Sequence, residues 1–282
     1  GSRPGITRAH VVAEQRDWYN KTVQVARQAA VVLAEQRVMS GRSASQLIFI
    51  GDSIVHQMSK TDTRLGLRLG GGKQAITDVF GSFWPSPVLL GIPTDQTQHL
   101  LWRLAHDEIP HSLTSNRHAL MVLMIGTNNL AFGQSVAETH RGVMACVYDL
   151  LSRTVGKLLV VGLLPRFDNP WNAPGTVLLP LQHDVTLFSN AKYPYLSIIA
   201  DVNARLRASV HAMAAQLKQT SGSGHRLAFV DCGHALGRNA SAGNSDDRKQ
   251  QEMQRDGLHL RDAGYRSLAH CIKQPLHQLD AI

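Results

Sequence analysis

The stretch Gln46-Leu-Ile-Phe-Ile-Gly-Asp-Ser-Ile-Val55 joins an uninterrupted apolar run to a glycine, a carboxylate and a hydroxyl. Such a run is typical of a buried strand in a parallel sheet, and open α/β sheets place their reactive groups just beyond the carboxyl ends of their strands. Ser53 therefore lies where a nucleophile is expected. Because serine is also a favoured helix N-cap, capping the next helix is the alternative role for this residue.

Four more apolar runs follow the first and alternate with segments of helical spacing. We predict strands at 47–50, 88–90, 120–125, 158–164 and 227–230, and helices at 96–107, 135–153, 196–218 and 262–278. Strands that alternate with helices of this length indicate βαβ units. The expected fold is a three-layer α/β/α sandwich around a five-stranded parallel sheet of flavodoxin-like type.

The chain of 282 residues is expected to form a single domain over 1–282, led by a helical segment at 1–45. Three stretches break the regular spacing and are predicted to be insertions that form surface loops and carry recognition. They lie near 68–87, 167–195 and 237–255. The second insertion is rich in aromatic residues, which either form a platform for sugars or pack the loop against the body.

The charge pattern favours no nucleic-acid partner, although the formal net charge is +8. Lys and Arg are scattered, and no zinc-finger or RNP-type motif accompanies them. No apolar stretch is long enough to span a bilayer. The opening Gly1-Ser2 resembles a protease-cleavage scar, so we expect a truncated natural N-terminus. The compartment is left open, with a slight preference for a secreted or extracytoplasmic location.

Cofactor and metal motifs are missing from the sequence. Gly72-Lys73 invites a phosphate-loop interpretation, but that motif needs glycine where Leu67 stands and Ser or Thr where Gln74 stands. No G-x-G-x-x-G follows a strand. Three widely spaced cysteines are interpreted as buried thiols rather than metal ligands: Cys146, Cys232 and Cys271. We expect neither a cofactor nor a bound metal.

The remaining requirements of serine chemistry recur farther along the chain. A serine hydroxyl needs a base, commonly a histidine oriented by a carboxylate, and Asp256-Gly-Leu-His259 supplies both before the last helix. Acyl transfer also needs donors for an oxyanion. Gly91, at the end of the second strand, offers a backbone N–H, and Asn128, after the third, offers a side-chain amide.

These four blocks, in this order, resemble the SGNH (GDSL-type) hydrolase family. The likeness is closest to the branch of platelet-activating-factor acetylhydrolase catalytic subunits and carbohydrate esterases, through Gly91-Ile-Pro-Thr-Asp-Gln-Thr-Gln-His-Leu-Leu-Trp-Arg-Leu104 and Gly162-Leu-Leu-Pro-Arg166. The resemblance implies that Ser53 is the nucleophile, His259 the base and Asp256 its orienting acid. It also implies that the oxyanion donors are Ser53 N–H, Gly91 N–H and Asn128.

The resemblance implies a serine esterase that hydrolyses small acyl esters, O-acetyl above all, on a carbohydrate or glycoconjugate through an acyl-Ser53 intermediate. The branch often continues its glycine block with further glycines, where this chain has Pro93-Thr94. An esterase or acyltransferase acting on lipid or longer-chain esters is the alternative, and a catalytically silent basic binding module is the rival from another class. The expected partner is a small-molecule or glycan ester, possibly anionic, and the oligomeric state is left open.

Overall fold

The computed structural model of this protein describes residues 46–59, 71–109, 111–168, 195–221, 226–236, 252–254 and 256–279. The predicted leading helix within 1–45 lies outside the described residues, as do most of the second and third insertions. The fold and the site below are built from the described residues alone.

A parallel sheet of five strands lies at the centre of the described part of the chain, in the order β2-β1-β3-β4-β5. The strands are β1 (Gln46–Gly51), β2 (Val88–Gly91), β3 (Ala119–Met124), β4 (Lys157–Val161) and β5 (Leu227–Val230). The helices are α1 (Ser53–Gln57), α2 (Lys73–Phe80), α3 (Thr97–Ala105), α4 (His111–Thr114), α5 (Thr127–Ala131), α6 (Val136–Arg153), α7 (Tyr195–Ser221) and α8 (Asp262–Lys273). Two short 3₁₀ helices are η1 (Gly233–Ala235) and η2 (Gln274–Leu279).

Two apolar layers cover the sheet because successive side chains of a strand point to opposite faces. Ile48 and Ile50 of β1 join one core with residues of α3, α6 and α7. Leu47 and Phe49 join the other core with residues of α1, α2 and α8. The predicted three-layer α/β/α sandwich is therefore confirmed.

The first predicted insertion differs from the expectation of a surface loop. Its residues Lys73–Phe80 form α2, which buries Ala75, Ile76, Val79 and Phe80 in the core shared with α8. The spacing of these four residues places them on one helical face, and burying that face stabilises the helix. The loop prediction for this stretch was wrong because this apolar face packs into the core against α8.

The fourth strand is shorter than predicted, since β4 ends at Val161 rather than at residue 164. Asn203 of α7 accepts a hydrogen bond from Leu163 N–H at 2.8 Å and donates one to Leu163 C=O at 3.0 Å. The side-chain amide of Asn203 thus takes the place of a neighbouring strand for the backbone of Leu163. A side chain from a helix that follows much later in the chain thus ends the strand.

Two of the three cysteines are not free thiols but form a disulfide, a pairing that the sequence left open. Cys232, next to η1, is bonded to Cys271 of α8, with their Cα atoms 5.8 Å apart. A disulfide that closes a loop over a sequence separation of 39 residues stabilises a protein by about 3–4 kcal/mol, chiefly by restricting the unfolded chain. Cys146 is a buried free thiol as predicted.

Candidate active site

The strand order brings the predicted site residues to one edge of the sheet. The first three strands are neighbours in the order β2-β1-β3, so their carboxyl ends lie side by side. Ser53 follows β1, Gly91 ends β2, and Asn128 lies on α5 just beyond β3. Asp256 and His259 lie on the loop before α8, as predicted.

The turn that joins β1 to α1, which we call the nucleophile turn after the role proposed for Ser53, is short and buried. Asp52 caps α1 by accepting a hydrogen bond from Ile54 N–H at 3.0 Å, so the alternative that Ser53 serves as the cap is wrong. Ser53 is the first residue of α1 and 8% of its surface is exposed. Its Oγ lies 2.9 Å from Nε2 of His259. The hydroxyl therefore faces the imidazole rather than the backbone.

The Asp256–His259 loop orients that imidazole. Oδ2 of Asp256 lies 2.6 Å from Nδ1 of His259, and Oδ1 accepts hydrogen bonds from the N–H groups of Leu258 and His259. A carboxylate facing Nδ1 favours the tautomer that carries its proton there and leaves the Nε2 lone pair toward Ser53. Burial opposes ionisation, but these hydrogen bonds outweigh it and lower the pKa of Asp256. Asp256 is thus held as a carboxylate.

Backbone contacts hold this loop against the sheet. Met253 and Leu260 form an antiparallel bridge on either side of the loop, and Phe167 N–H donates to Gly257 C=O at 2.7 Å. Gly257 has φ +70°, in the left-handed region that favours glycine. A Cβ there would lie 2.8 Å from the backbone of Phe167 and Asp168. The loop therefore needs a glycine between the acid and the base.

Asn128 lies in the first turn of α5, after Gly126 at φ +122°. Its Nδ2 donates to Asp95 C=O at 2.9 Å, and the amide carries a second N–H beyond this bond. The adjacent Asn129 is fully buried and joins Thr97 through two hydrogen bonds. The two adjacent amides therefore differ in role: Asn128 bonds to the backbone of Asp95, and Asn129, for which no role was predicted, holds Thr97.

Gly91 lets α1 pack closely on β2. A Cβ at this position would lie 2.2 Å from His56 N and 2.7 Å from Asp52 C=O. The next residue, Ile92, donates its N–H to Gly51 C=O of β1 at 3.2 Å. Since N–H groups alternate along a strand, the Gly91 N–H is directed away from β1. The role of Gly91 as an oxyanion donor stays a prediction.

Arg166 is a buried residue of the site that the sequence analysis did not assign a role. It donates to Thr127 C=O at 2.9 Å, pairs with Asp168 and lies over the ring of Tyr195 at 4.4 Å. Thr127 begins α5, and Asp168 directly follows Phe167, whose N–H donates to Gly257 C=O. Arg166 thus connects the helix of Asn128 to the loop of the proposed base. Its signal in the sequence was its place after β4 in the quoted Gly162–Arg166 segment.

The described residues contain no group of three or more His, Cys, Asp or Glu side chains that could hold a metal ion. Among the helices of the described part, none is long and apolar enough to cross a membrane. The chemistry available at this edge of the sheet is that of a hydroxyl, an imidazole, a carboxylate and an amide.

Asp52 gives the site a testable pH dependence of stability. Burial raises its pKa from 3.8 to about 6, against the opposing effects of the Ile54 N–H bond, His259 and Arg166. The folded protein therefore keeps this proton at pH values where the unfolded chain has lost it. The contribution of Asp52 to the free energy of unfolding should fall as pH rises from about 4 to about 6, by on the order of 3 kcal/mol in total.

Asp52→Asn removes that dependence, because asparagine does not titrate and still caps a helix. We expect the difference in unfolding free energy between wild type and Asp52→Asn, measured by urea denaturation at pH 4 to 7, to shift in favour of the variant as pH rises. Parallel pH profiles of the two proteins would show that Asp52 has the same pKa in the folded and unfolded states.

The comparisons with known proteins agree with this geometry. The family model described as GDSL-like Lipase/Acylhydrolase family matches residues 49–267. The chain belongs to this family, and the resemblance read from its motifs is confirmed. The description of this family names lipases and acylhydrolases.

Similar proteins include two subunits of platelet-activating factor acetylhydrolase IB. Platelet-activating factor acetylhydrolase IB subunit alpha1 of Bos taurus is 32% identical over 127 residues, which are 44% of this chain and 46% of that protein. The chain thus spans about half the length of this relative. Subunit alpha2 of Bos taurus is 28% identical over 237 residues, 83% of this chain and 75% of that protein.

Solved structures share the fold at low sequence identity. A GDSL-like lipase from Bacteroides thetaiotaomicron matches with a TM-score of 0.54 and 18% identity, over 83% of this chain and 89% of that one. A member of the lipolytic G-D-S-L family from Veillonella parvula matches with a TM-score of 0.52 and 15% identity, over 84% and 100%. These likenesses concern the fold alone.

Proposed function

We propose that this chain is a serine esterase that removes a small acyl group, an O-acetyl group above all, from a carbohydrate or glycoconjugate. The observation that carries the proposal is the continuous chain from Asp256 through His259 to Ser53, with separations of 2.6 and 2.9 Å. Both separations are within hydrogen-bond distance. A catalytically silent binding module has no need of this alignment.

In the proposed reaction Ser53 Oγ attacks the carbonyl carbon of the ester while its proton passes to Nε2 of His259. Asp256 stabilises the imidazolium that forms. The carbonyl oxygen becomes an oxyanion, toward which Asn128 directs its second amide N–H and Ser53 its backbone N–H. The imidazolium then protonates the leaving alcohol, and the C–O bond breaks to give acyl-Ser53.

Water completes the cycle by the same steps. His259 takes a proton from water, the hydroxide attacks the acyl carbon, and the second tetrahedral intermediate collapses to release the carboxylic acid. The proton on His259 returns to Ser53. Every proton transfer in this scheme passes through Nε2 of His259.

The acetyl preference is supported by the names of the relatives, which are acetylhydrolase subunits. The carbohydrate preference rests on the resemblance to the carbohydrate-esterase branch and on the aromatic residues of the second insertion, which are candidates for a sugar platform. A lipid or longer-chain ester is the second candidate, since the same relatives are named for platelet-activating factor.

A panel of nitrophenyl esters from acetyl to octanoyl tests the proposal. We expect kcat/KM to be highest for the acetyl ester and to fall at least about 10-fold by octanoyl. A pocket sized for an acetyl group cannot bury the extra methylenes, so a longer chain clashes with the pocket wall or stays in water and does not gain the burial energy of about 0.8 kcal/mol per methylene. Acetylated oligosaccharides and an acetylated phospholipid, compared by acetate release, then separate the two candidates. A maximum at octanoyl would favour the second candidate.

A further inference from the structure

Arg103 is a fully buried cation that the proposed reaction does not use. It lies on α3, and 2% of its surface is exposed. Its guanidinium group donates to backbone C=O groups at the carboxyl ends of β1 and β2, those of Gly51 and Leu90. A buried charge is costly unless its surroundings satisfy it, so the position of Arg103 needs an explanation.

All five N–H donors of the guanidinium have acceptors. Nε and one amino group bond to the carboxylate of Glu108, and that amino group also donates to Leu90 C=O at 2.7 Å. The other amino group donates to Gly51 C=O at 3.2 Å and to Oδ2 of Asp95 at 2.5 Å. A lysine has three donors on one nitrogen and cannot satisfy this planar set.

These acceptors surround the turn that follows β2. Leu90 lies in the last part of β2, just before that turn, and Asp95 lies at its end, where Asp95 N–H closes the turn on Ile92 C=O at 3.3 Å. Inside it, Thr94 has φ +67°, a conformation that residues other than glycine rarely adopt. The same guanidinium therefore holds both ends of a turn whose backbone is strained.

The turn after β2 also supports the amide of Asn128. The backbone C=O of Asp95 accepts the hydrogen bond from Asn128 Nδ2 at 2.9 Å. A continuous path of contacts thus runs from Arg103 through Asp95 to Asn128. A second path runs from Arg103 to Gly51, two residues before Ser53.

We propose that Arg103 is a positioning residue for ester hydrolysis, which sets the Asn128 amide, through Asp95, relative to Ser53. The proposal rests on the function proposed above. Glu108 also neutralises the cation, but it is not part of the path that links Arg103 to Asn128, whereas Asp95 is. The two carboxylates on one guanidinium therefore differ in function, and this difference is measurable.

The main experiment compares Arg103→Lys with Glu108→Gln as a matched control. Both variants weaken the same buried ion pair, but only Arg103→Lys loses the contacts to Gly51, Leu90 and Asp95. We expect Arg103→Lys to lower kcat for the acetyl ester about 10- to 100-fold while KM changes less than about 2-fold, because misplacing an oxyanion donor affects the transition state more than bound substrate. Glu108→Gln should keep kcat within about 3-fold of wild type.

A double mutant shows the route of the effect. Asn128→Ala should lower kcat by about 10²- to 10³-fold, as the loss of an oxyanion donor usually does. Because Arg103 acts mainly through Asn128, adding Arg103→Lys to Asn128→Ala should cost several-fold less than it does in the wild type. Full multiplication of the two losses would overturn the proposal, and so would equal losses of kcat in Arg103→Lys and Glu108→Gln.

Stability is followed by circular dichroism and urea denaturation of every variant. If Arg103→Lys does not fold, Asp95→Asn takes its place, because it keeps the guanidinium and the backbone C=O but weakens their link. A several-fold lower kcat for Asp95→Asn than for Glu108→Gln supports the proposal, and equal values overturn it. Wild-type hydrolysis that Ser53→Ala abolishes establishes the proposed function separately, so the two proposals fail on different results.

Discussion

Ser53→Ala should lose on the order of 10⁶-fold in kcat for ester hydrolysis while keeping its fold, because it removes the only atom that forms the proposed acyl intermediate. The hydroxyl is a small part of the packing, and its hydrogen bond is to His259, which stays partly exposed to water. The measurement is steady-state hydrolysis of the acetyl ester together with urea denaturation.

Ser59→Ala is the matched control for this change. Ser59 lies just after α1, and its Oγ donates to His56 C=O at 2.7 Å on an exposed surface. This variant should hydrolyse at the wild-type rate. A serine-directed phosphonate should label wild type and Ser59→Ala at Ser53 and leave Ser53→Ala unlabelled. Labelling at another residue, or substantial activity in Ser53→Ala, would remove the nucleophile role from Ser53.

His259→Ala should be as damaging as Ser53→Ala, whereas Asp256→Ala should lose less. The first change removes the group that accepts the serine proton, and the second removes only its orientation and the stabilisation of the imidazolium. We expect losses on the order of 10⁶-fold for His259→Ala and 10⁴-fold for Asp256→Ala in kcat, as in other serine relays. Because the two residues act as one unit, the double variant should be little worse than His259→Ala alone.

His270→Ala is the control for the histidine change, since His270 lies exposed on α8 and outside the site. It should leave kcat unchanged. Equal losses in Asp256→Ala and His259→Ala would mean that the carboxylate does more than orient the ring. Near-normal turnover in His259→Ala would require a different base among the fourteen histidines of the chain.

The order of strands and helices was predictable because each element carries its own local signal. Continuous apolar runs mark β1, β3 and β4 as buried on both faces, and the spacing of α6 and α7 marks amphipathic helices. The ends of elements were less accurate. At β4 the strand ends because Asn203 bonds to Leu163, a contact 40 residues apart that no local pattern records.

The site was predictable as a set of residues but not as a network. Ser53, Asn128, Asp256 and His259 each stand beside a glycine or a strand end, which is a signal within a few positions of sequence. The residues that support them are less apparent. Arg103 and Arg166 lie in the two segments that carry the family resemblance, but no local pattern shows that the fold buries their charges.

The sequence by itself determined the α/β class, the strands and the residue types that meet at their carboxyl ends, because hydrophobic periodicity and turn chemistry are local properties of the chain. Only the tertiary structure decided that His259 lies 2.9 Å from Ser53, that Cys232 pairs with Cys271, and that Arg103 bonds to Gly51, Leu90 and Asp95. Each of these contacts joins elements that are far apart in the sequence. Their geometry depends on how helices dock on the strands, and packing, not local propensity, sets that docking.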